Sequence, residues 1–224
     1  MRAEVQDERG AGHDARHGAG ERSGQRAGIV PEQIIPVDAI ASDGGYIWHT
    51  FSRGGFGIDI DSYGYIYISG GAIFSWNGPN GELPLHAFTG GVDIVVIKLS
   101  VTGEYMWHTF FGSANDDWGK QIALDNQNNI YISDSSMASW NGPSGQLPLN
   151  PYSGDSDIFV LKLAANGKYL WHTFYGSPAY DSSKSIGAYN EHIYMFGNSL
   201  QSWNSPTGEM ALNLFHGSSD MVVV

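Results

Sequence analysis

The chain has no cysteine, which removes both a disulfide framework and thiol chemistry. Basic residues are scarce: 11 Lys and Arg stand against 23 Asp and Glu, a formal net charge of -12. Beyond residue 28 the only basic side chains are Arg53, Lys98, Lys120, Lys162, Lys168 and Lys184, against 18 acids. Nucleic acids and anionic membranes are bound by Lys and Arg that displace counterions, so neither is expected as a partner. No apolar run is long enough to span a bilayer, and the amino-terminal residues lack the apolar core of a secretory signal. No segment carries a convincing helical stripe. The Gly-x-Ser-x-Gly, phosphate-loop and His-Glu-x-x-His motifs are also missing, and with them the chemistries those motifs mark.

What the chain does have is a tandem repeat. Trp-His-Thr-Phe occurs at Trp48–Phe51, Trp107–Phe110 and Trp171–Phe174, spaced by 59 and 64 residues. Ser-Trp-Asn occurs at Ser75–Asn77, Ser139–Asn141 and Ser202–Asn204, spaced by 64 and 63, and the runs that begin at Asp93, Asp157 and Asp220 keep the same phase. A fixed period means that each repeat is one supersecondary unit burying its apolar face on its neighbours. Tyr65–Ser69, Ile130–Ser133 and Ile193–Phe196 are short aromatic and β-branched runs bounded by turn residues, which reads as strand.

Four strands per repeat follow, placed in the second copy at Gly119–Asp125, Asn129–Ser133, Asp157–Leu163 and Lys168–Tyr175. Turns fall at Asn126–Asn128 and Asn166-Gly167. A long loop, Ser139–Asp155, separates the second and third strands and has residues enough for a small hairpin of its own. The class is therefore all-β, and a repeated four-stranded antiparallel meander with Trp and Asp-turn signatures is the cue for a β-propeller blade.

The run Gly-x-Tyr-x-Trp-x-Thr-x-Phe-Gly at Gly103–Gly112, and again at Gly167–Gly176 with Tyr175 for the Phe, leads to Asp117 or Asp181 and then to Asp125 before Asn-Ile-Tyr-Ile. A Ser-rich loop and Asp-x-x-Val-x-Lys-Leu at Asp157–Leu163 follow. This order resembles the SBBP repeat, the seven-bladed β-propeller repeat of bacterial and archaeal proteins, over about residues 45–224. The resemblance implies a propeller fold, no defined activity, and an extracellular or cell-surface location. The first copy departs from it by lacking about five residues around Ser52–Gly54, and the third has Tyr189 where the second has Asp125.

Residues 1–28 hold five Arg and five acids among Gly and Ala, with almost no large apolar side chain, and are expected to be disordered. Residues 29–44 are expected to be linker, and the repeats to run over about 45–112, 113–176 and 177–224. A lone fourth strand at Tyr46–Phe51, two full units and three strands of another make about three blade equivalents. Propellers close with four to eight blades, so a partial propeller is expected: a piece of a longer chain, or a homodimer formed by strand exchange if the chain is complete.

His49, His108 and His172 recur, but equivalent positions in successive blades lie too far apart to share a metal ion, so no metal is expected and each His should pair with a neighbour, contributing little to stability. Trp107 is expected to be buried between blades. Asp61, Asp93, Asp125, Asp157 and Asp220 are expected to fix turns, with calcium at Asp125–Asn128 the competing reading. Asp116-Asp117 is an acid pair that glycoside hydrolysis could use, though no pocket motif accompanies it. Trp76, Asn77, Trp140, Asn141, Trp203 and Asn204 form the candidate ligand-binding set, since Trp with amide neighbours stacks on sugars or anchors a protein. The competing expectation is that each Trp folds back to plug a gap between blades with its N–H bonded to backbone. No cofactor is expected. The leading function is a noncatalytic scaffold or protein-interaction module, the alternative a carbohydrate-binding lectin-like propeller, and a glycosidase or lyase ranks third.

Overall fold

Short runs of Ile, Val, Tyr and Phe broken by Gly, Asn and Asp leave the chain no route to burial except pleated sheet. The computed structural model describes residues 34–213, 215–217 and 220–223. The tail expected over residues 1–28 lies outside them. The described residues form thirteen strands and no helix: β1 (Ile34–Ile40), β2 (Tyr46–Arg53), β3 (Gly57–Ile60), β4 (Ile66–Ala72), β5 (Asp93–Leu99), β6 (Tyr105–Phe111), β7 (Asp117–Leu124), β8 (Ile130–Ser136), β9 (Asp157–Leu163), β10 (Tyr169–Tyr175), β11 (Asp181–Tyr189), β12 (His192–Ser199) and β13 (Asp220–Val223). Every strand ladder is antiparallel between chain neighbours, giving sheets β1-β2, β3-β4-β5-β6, β7-β8-β9-β10 and β11-β12-β13.

Residues 29–44, expected to be linker, instead carry β1. Its pairing repeats that of the later hairpins: Ile40 faces Tyr46 and Ala39 faces Trp48, as Leu99 faces Tyr105 and Lys98 faces Trp107, with a bulge at the same point. The β1-β2 pair is thus the third-and-fourth-strand hairpin of a further repeat. Pro36 and Asp38 had hidden it, since they interrupt the apolar run found in β5 and β9. Because β2 is already paired with β1, exchange of β2 between two chains would require that ladder to open.

Successive sheets pack face on face, the third and fourth through their first strands: β7 lies against β3, β4 and β5, and β11 against β7, β8 and β9. Three apolar clusters fill the three seams. Strand β9 contributes to two of them, Phe159, Leu161 and Leu163 on one face and Ile158 and Val160 on the other. That is why it reads as a continuous apolar run instead of an alternating one. Glycine makes the seams close. An ideal Cβ on Gly119 would come within 2.6 Å of Ile94 Cγ2 and 2.9 Å of Ile132 Cγ2, so side chains of two sheets occupy the space beside it. The residues missing from the first repeat shorten its first strand, β3, to four residues against eight in β7.

Candidate functional site

The recurring side chains converge on two places in each repeat. The first is the outer edge of the fourth strand. A bulge opposite Lys98-Leu99 inserts Met106 into β6, so that Tyr105 and His108 fall on the same face although they are three residues apart. Tyr105 Oη and His108 Nδ1 are then 2.6 Å apart, and His108 Nε2 lies 3.0 Å from the Trp76 carbonyl oxygen. The Trp76 ring stacks on the imidazole, with centroids 3.6 Å apart and planes 8° from parallel. The second unit repeats all of this: Tyr169 Oη to His172 Nδ1 is 2.7 Å, His172 Nε2 to Trp140 O is 2.9 Å, and the Trp140–His172 stack is 3.8 Å at 8°.

His108 and His172 are fully buried, and burial pushes both imidazoles below their ordinary range, His172 to about 4, against a raising contribution from the carbonyl each one meets. Each is thus paired with neighbours as expected, and each is a core residue. Trp107, expected to be buried, is half-buried and packs edge-on against Tyr67.

The long loop does more than carry the Trp. Gly78 to Glu82 and Gly142 to Gln146 close as a tight turn, with N–H to carbonyl distances of 2.7 and 2.8 Å, but no strand pair extends from it, so the loop forms a turn where a small hairpin was expected. The loop then runs beside the fourth strand. Leu85 N–H donates to His108 O at 2.9 Å and Phe110 N–H to His86 O at 3.3 Å, matched by Leu149 to His172 and Phe174 to Asn150. An exposed strand edge is a template for unwanted pairing, and this loop occupies it.

Of the candidate binding set, Asn77, Asn141 and Asn204 are exposed. Trp140 is 6% exposed and packed on His172, Phe159 and Phe174 of its own sheet and Phe111 of the preceding one. Trp76 and Trp203 are half-buried, and Trp203 lies 6.3 Å from Tyr175. The structure does not gather the three Trp-Asn pairs into one site. The expected N–H bond to backbone is absent from Trp140, whose Nε1 has no partner.

The second place is the seam, where aspartates that look like separate turn residues meet. Thr89 N–H donates to Asp93 Oδ2 at 2.6 Å, and Ser153 N–H to Asp157 Oδ2 at 2.7 Å, so both fix the turn before their strand as expected. Asp117 Oδ2 accepts from Ser113 N–H at 2.6 Å and Ser113 Oγ–H at 2.8 Å, while its Oδ1 accepts from Ser136 Oγ–H. Asp181 Oδ2 accepts from Ser177 in the same way, at 2.7 and 2.8 Å. An ideal Cβ on Gly112 would lie 2.8 Å from Asp117 Oδ2 and 3.1 Å from Asp93 Oδ1. On Gly176 it would lie 2.8 Å from Asp181 Oδ2 and 2.9 Å from Asp157 Oδ1. Each glycine therefore leaves two carboxyl groups facing one another. The constant order Asp, Gly, Asp in both repeats was the available signal.

Asp116 and Asp117 do not act together: Asp116 Oδ1 accepts from Val92 N–H at 3.1 Å, and Asp117 turns into the protein. Asp61 and Asp125 are turn residues that also accept from Tyr67 and Tyr131 hydroxyls at 3.0 and 3.1 Å. The Asp125 oxygens accept from Gln127 N–H, from the Asn129 backbone and side chain and from Tyr131, which leaves little for calcium. Among the described residues no group of three or more His, Cys, Asp or Glu is placed to hold a metal ion, and no helix is long and apolar enough to cross a membrane. A groove of about 210 Å³, lined by Val37, Asp38, Gly55, Phe56 and Ile68, lies at the first seam and is smaller than a typical small-molecule site.

No family model matches the chain, and no curated protein matches it.

Proposed function

We propose that the chain is a noncatalytic β-propeller module built of SBBP-type blades, serving as a scaffold or protein-interaction surface within an extracellular or cell-surface protein. One observation carries the reading. The side chains that recur and could do chemistry are engaged inside the repeats: the histidines under Tyr and Trp, the aspartates in turns and seams. Sheets that pack face on face, with β7 and β11 each laid on three strands of the preceding sheet, extend an array and leave the loop tips as the variable, solvent-facing part.

A lectin-like propeller would need the Trp faces open to sugar rings, and Trp140 has one face on His172 and its edge among three Phe rings. The test is a glycan array read together with Trp fluorescence. No binding and no change of emission is the expected result. Saturable glycan binding that shifts the emission and is lost on exchanging Asn77 and Asn141 for Ala would replace the scaffold reading with the lectin one.

A further inference from the structure

The seam aspartates raise a problem of charge. Asp93, Asp117, Asp157 and Asp181 are all fully buried. Among the described residues the ion pairs are Lys120–Asp134 and Lys162–Asp125, and neither involves a seam aspartate. Two ionised carboxylates facing one another in a dry interior repel and lose their hydration, so one of them must be neutralised. The oxygens of the first pair are not equivalent. Asp117 Oδ2 accepts two hydrogen bonds from Ser113 and its Oδ1 meets Ser136 Oγ, whose hydroxyl also reaches the Ala138 carbonyl, and Asp93 Oδ2 accepts one from Thr89, whereas Asp93 Oδ1 has no partner. In the second pair both Asp157 Oδ1 and Asp181 Oδ1 are without a partner, and the two carboxyl groups meet beside Gly176.

A calcium ion would need about six to eight oxygen ligands, and oxygens already accepting from Ser and Thr cannot supply them. A proton needs only two oxygens. We propose that each seam holds one proton shared between its aspartates, carried in the first on Asp93 Oδ1 and donated to Asp117 and held in the second between Asp157 and Asp181, and that loss of this proton at rising pH loosens one sheet from the next.

The other titratable groups near the first pair are Asp116 on the loop before β7, Tyr152 on the loop before β9 and the Lys120–Asp134 ion pair of β7 and β8. Near the second they are Asp155 and Tyr152, while Lys184 of β11 acts on Asp134. None donates to a seam oxygen. Burial raises all four carboxyl groups, Asp117 to about 6, with Asp93 adding to Asp117 and Asp181 to Asp157. Each pair titrates as a unit, so the proton is a property of the pair, and in the first pair its resting atom follows from the single unpartnered oxygen. With folded-state values above the unfolded ones, the stability from these protons is complete below the ordinary Asp value near 3.8 and is lost as pH rises through the folded values.

The experiment compares the full chain with Asp93→Asn/Asp157→Asn, in which a permanent N–H donor stands where the proton would be. The parent should show the infrared carbonyl band of a buried protonated carboxyl group at pH 5, fading as pH rises, and the variant should lack it. The variant should also melt at least about 2 °C above the parent at pH 8 and show no such gain at pH 4. Calcium chloride and EDTA should leave the parent's melting temperature unchanged. A parent without the band, or a calcium-dependent rise in its melting temperature, would overturn the proposal, and both readings need only the parent should the variant fail to fold.

Discussion

Replacing Trp140 with Ala tests the edge-capping arrangement directly. The indole is 6% exposed, lies flat on His172 at 3.8 Å, and meets Phe159, Phe174 and Phe111 at ring separations of 6.3, 5.9 and 6.4 Å. Truncating a buried Trp costs about 3–5 kcal/mol. The unpartnered Nε1 argues for the low end, because removing a buried polar atom without a hydrogen bond returns part of its desolvation cost. At about 2–4 °C for each kcal/mol in a domain of this size, a loss near 3 kcal/mol lowers the melting temperature by roughly 6–12 °C. Trp140→Phe keeps an aromatic plane over His172 and drops the orphaned N–H, so its loss should be much smaller. Thermal unfolding followed by circular dichroism reads both variants. Were the Ala variant to melt within about 2 °C of the parent, Trp140 would not hold the loop to the strand.

Three further outcomes follow from the same contacts. His108→Ala should destabilise more than Trp107→Ala in urea unfolding, since it strips partners from Tyr105 Oη and the Trp76 carbonyl, each worth about 1–3 kcal/mol if left unpaired, and the reverse order would contradict the burial assigned to the two residues. Gly119→Ala should cost about 1–3 kcal/mol by overpacking the seam against Ile94 and Ile132, and an unchanged denaturation midpoint would mean that the two sheets are not held that close. His172, lowered to about 4 by burial, stays neutral when folded, so its share of stability is complete above about 6.5 and declines as pH falls toward 4, by about 3 kcal/mol in all; His172→Gln should melt lower at pH 7 yet decline less on acidification.

The repeat and its strands were readable because their signals are local: Tyr-Ile-Tyr-Ile runs, Asn-Gly turns and motifs in constant order. What escaped is what depends on a second segment. Tyr105 and His108 sit at a spacing that an ideal strand sends to opposite faces, and only the bulge beside Lys98 brings them together. Nothing in Ser-Trp-Asn says that its indole will lie on a histidine 32 positions later. Asp93 was legible as a turn residue, and it accepts from Thr89, but its second oxygen answers to Asp117 on another sheet. β1 went unread for the opposite reason, since Pro36 and Asp38 break the local pattern while the ladder to β2 keeps the register of the later hairpins.

The two recurrent buried clusters titrate in opposite senses, and this bears on how the fold's dependence on pH will look. Below about 6.5 the unfolded chain takes up protons at the positions of His108 and His172 that the folded chain refuses, so acid destabilises. Above the ordinary Asp value the folded chain keeps seam protons that the unfolded chain releases, so the same interval, crossed upward, destabilises as well. Each repeat holds one of each kind, His108 with Asp93 and Asp117, His172 with Asp157 and Asp181. Their slopes therefore oppose one another, and the parent's melting temperature should vary less with pH on the acid side than that of a protein lacking either kind. Removing one kind unmasks the other. The Asp93→Asn/Asp157→Asn protein should lose stability on acidification, and a His108→Gln/His172→Gln protein should lose it on alkalinisation. Parallel slopes in the two variants, measured in the same buffers, would mean that the clusters do not titrate as their burial requires.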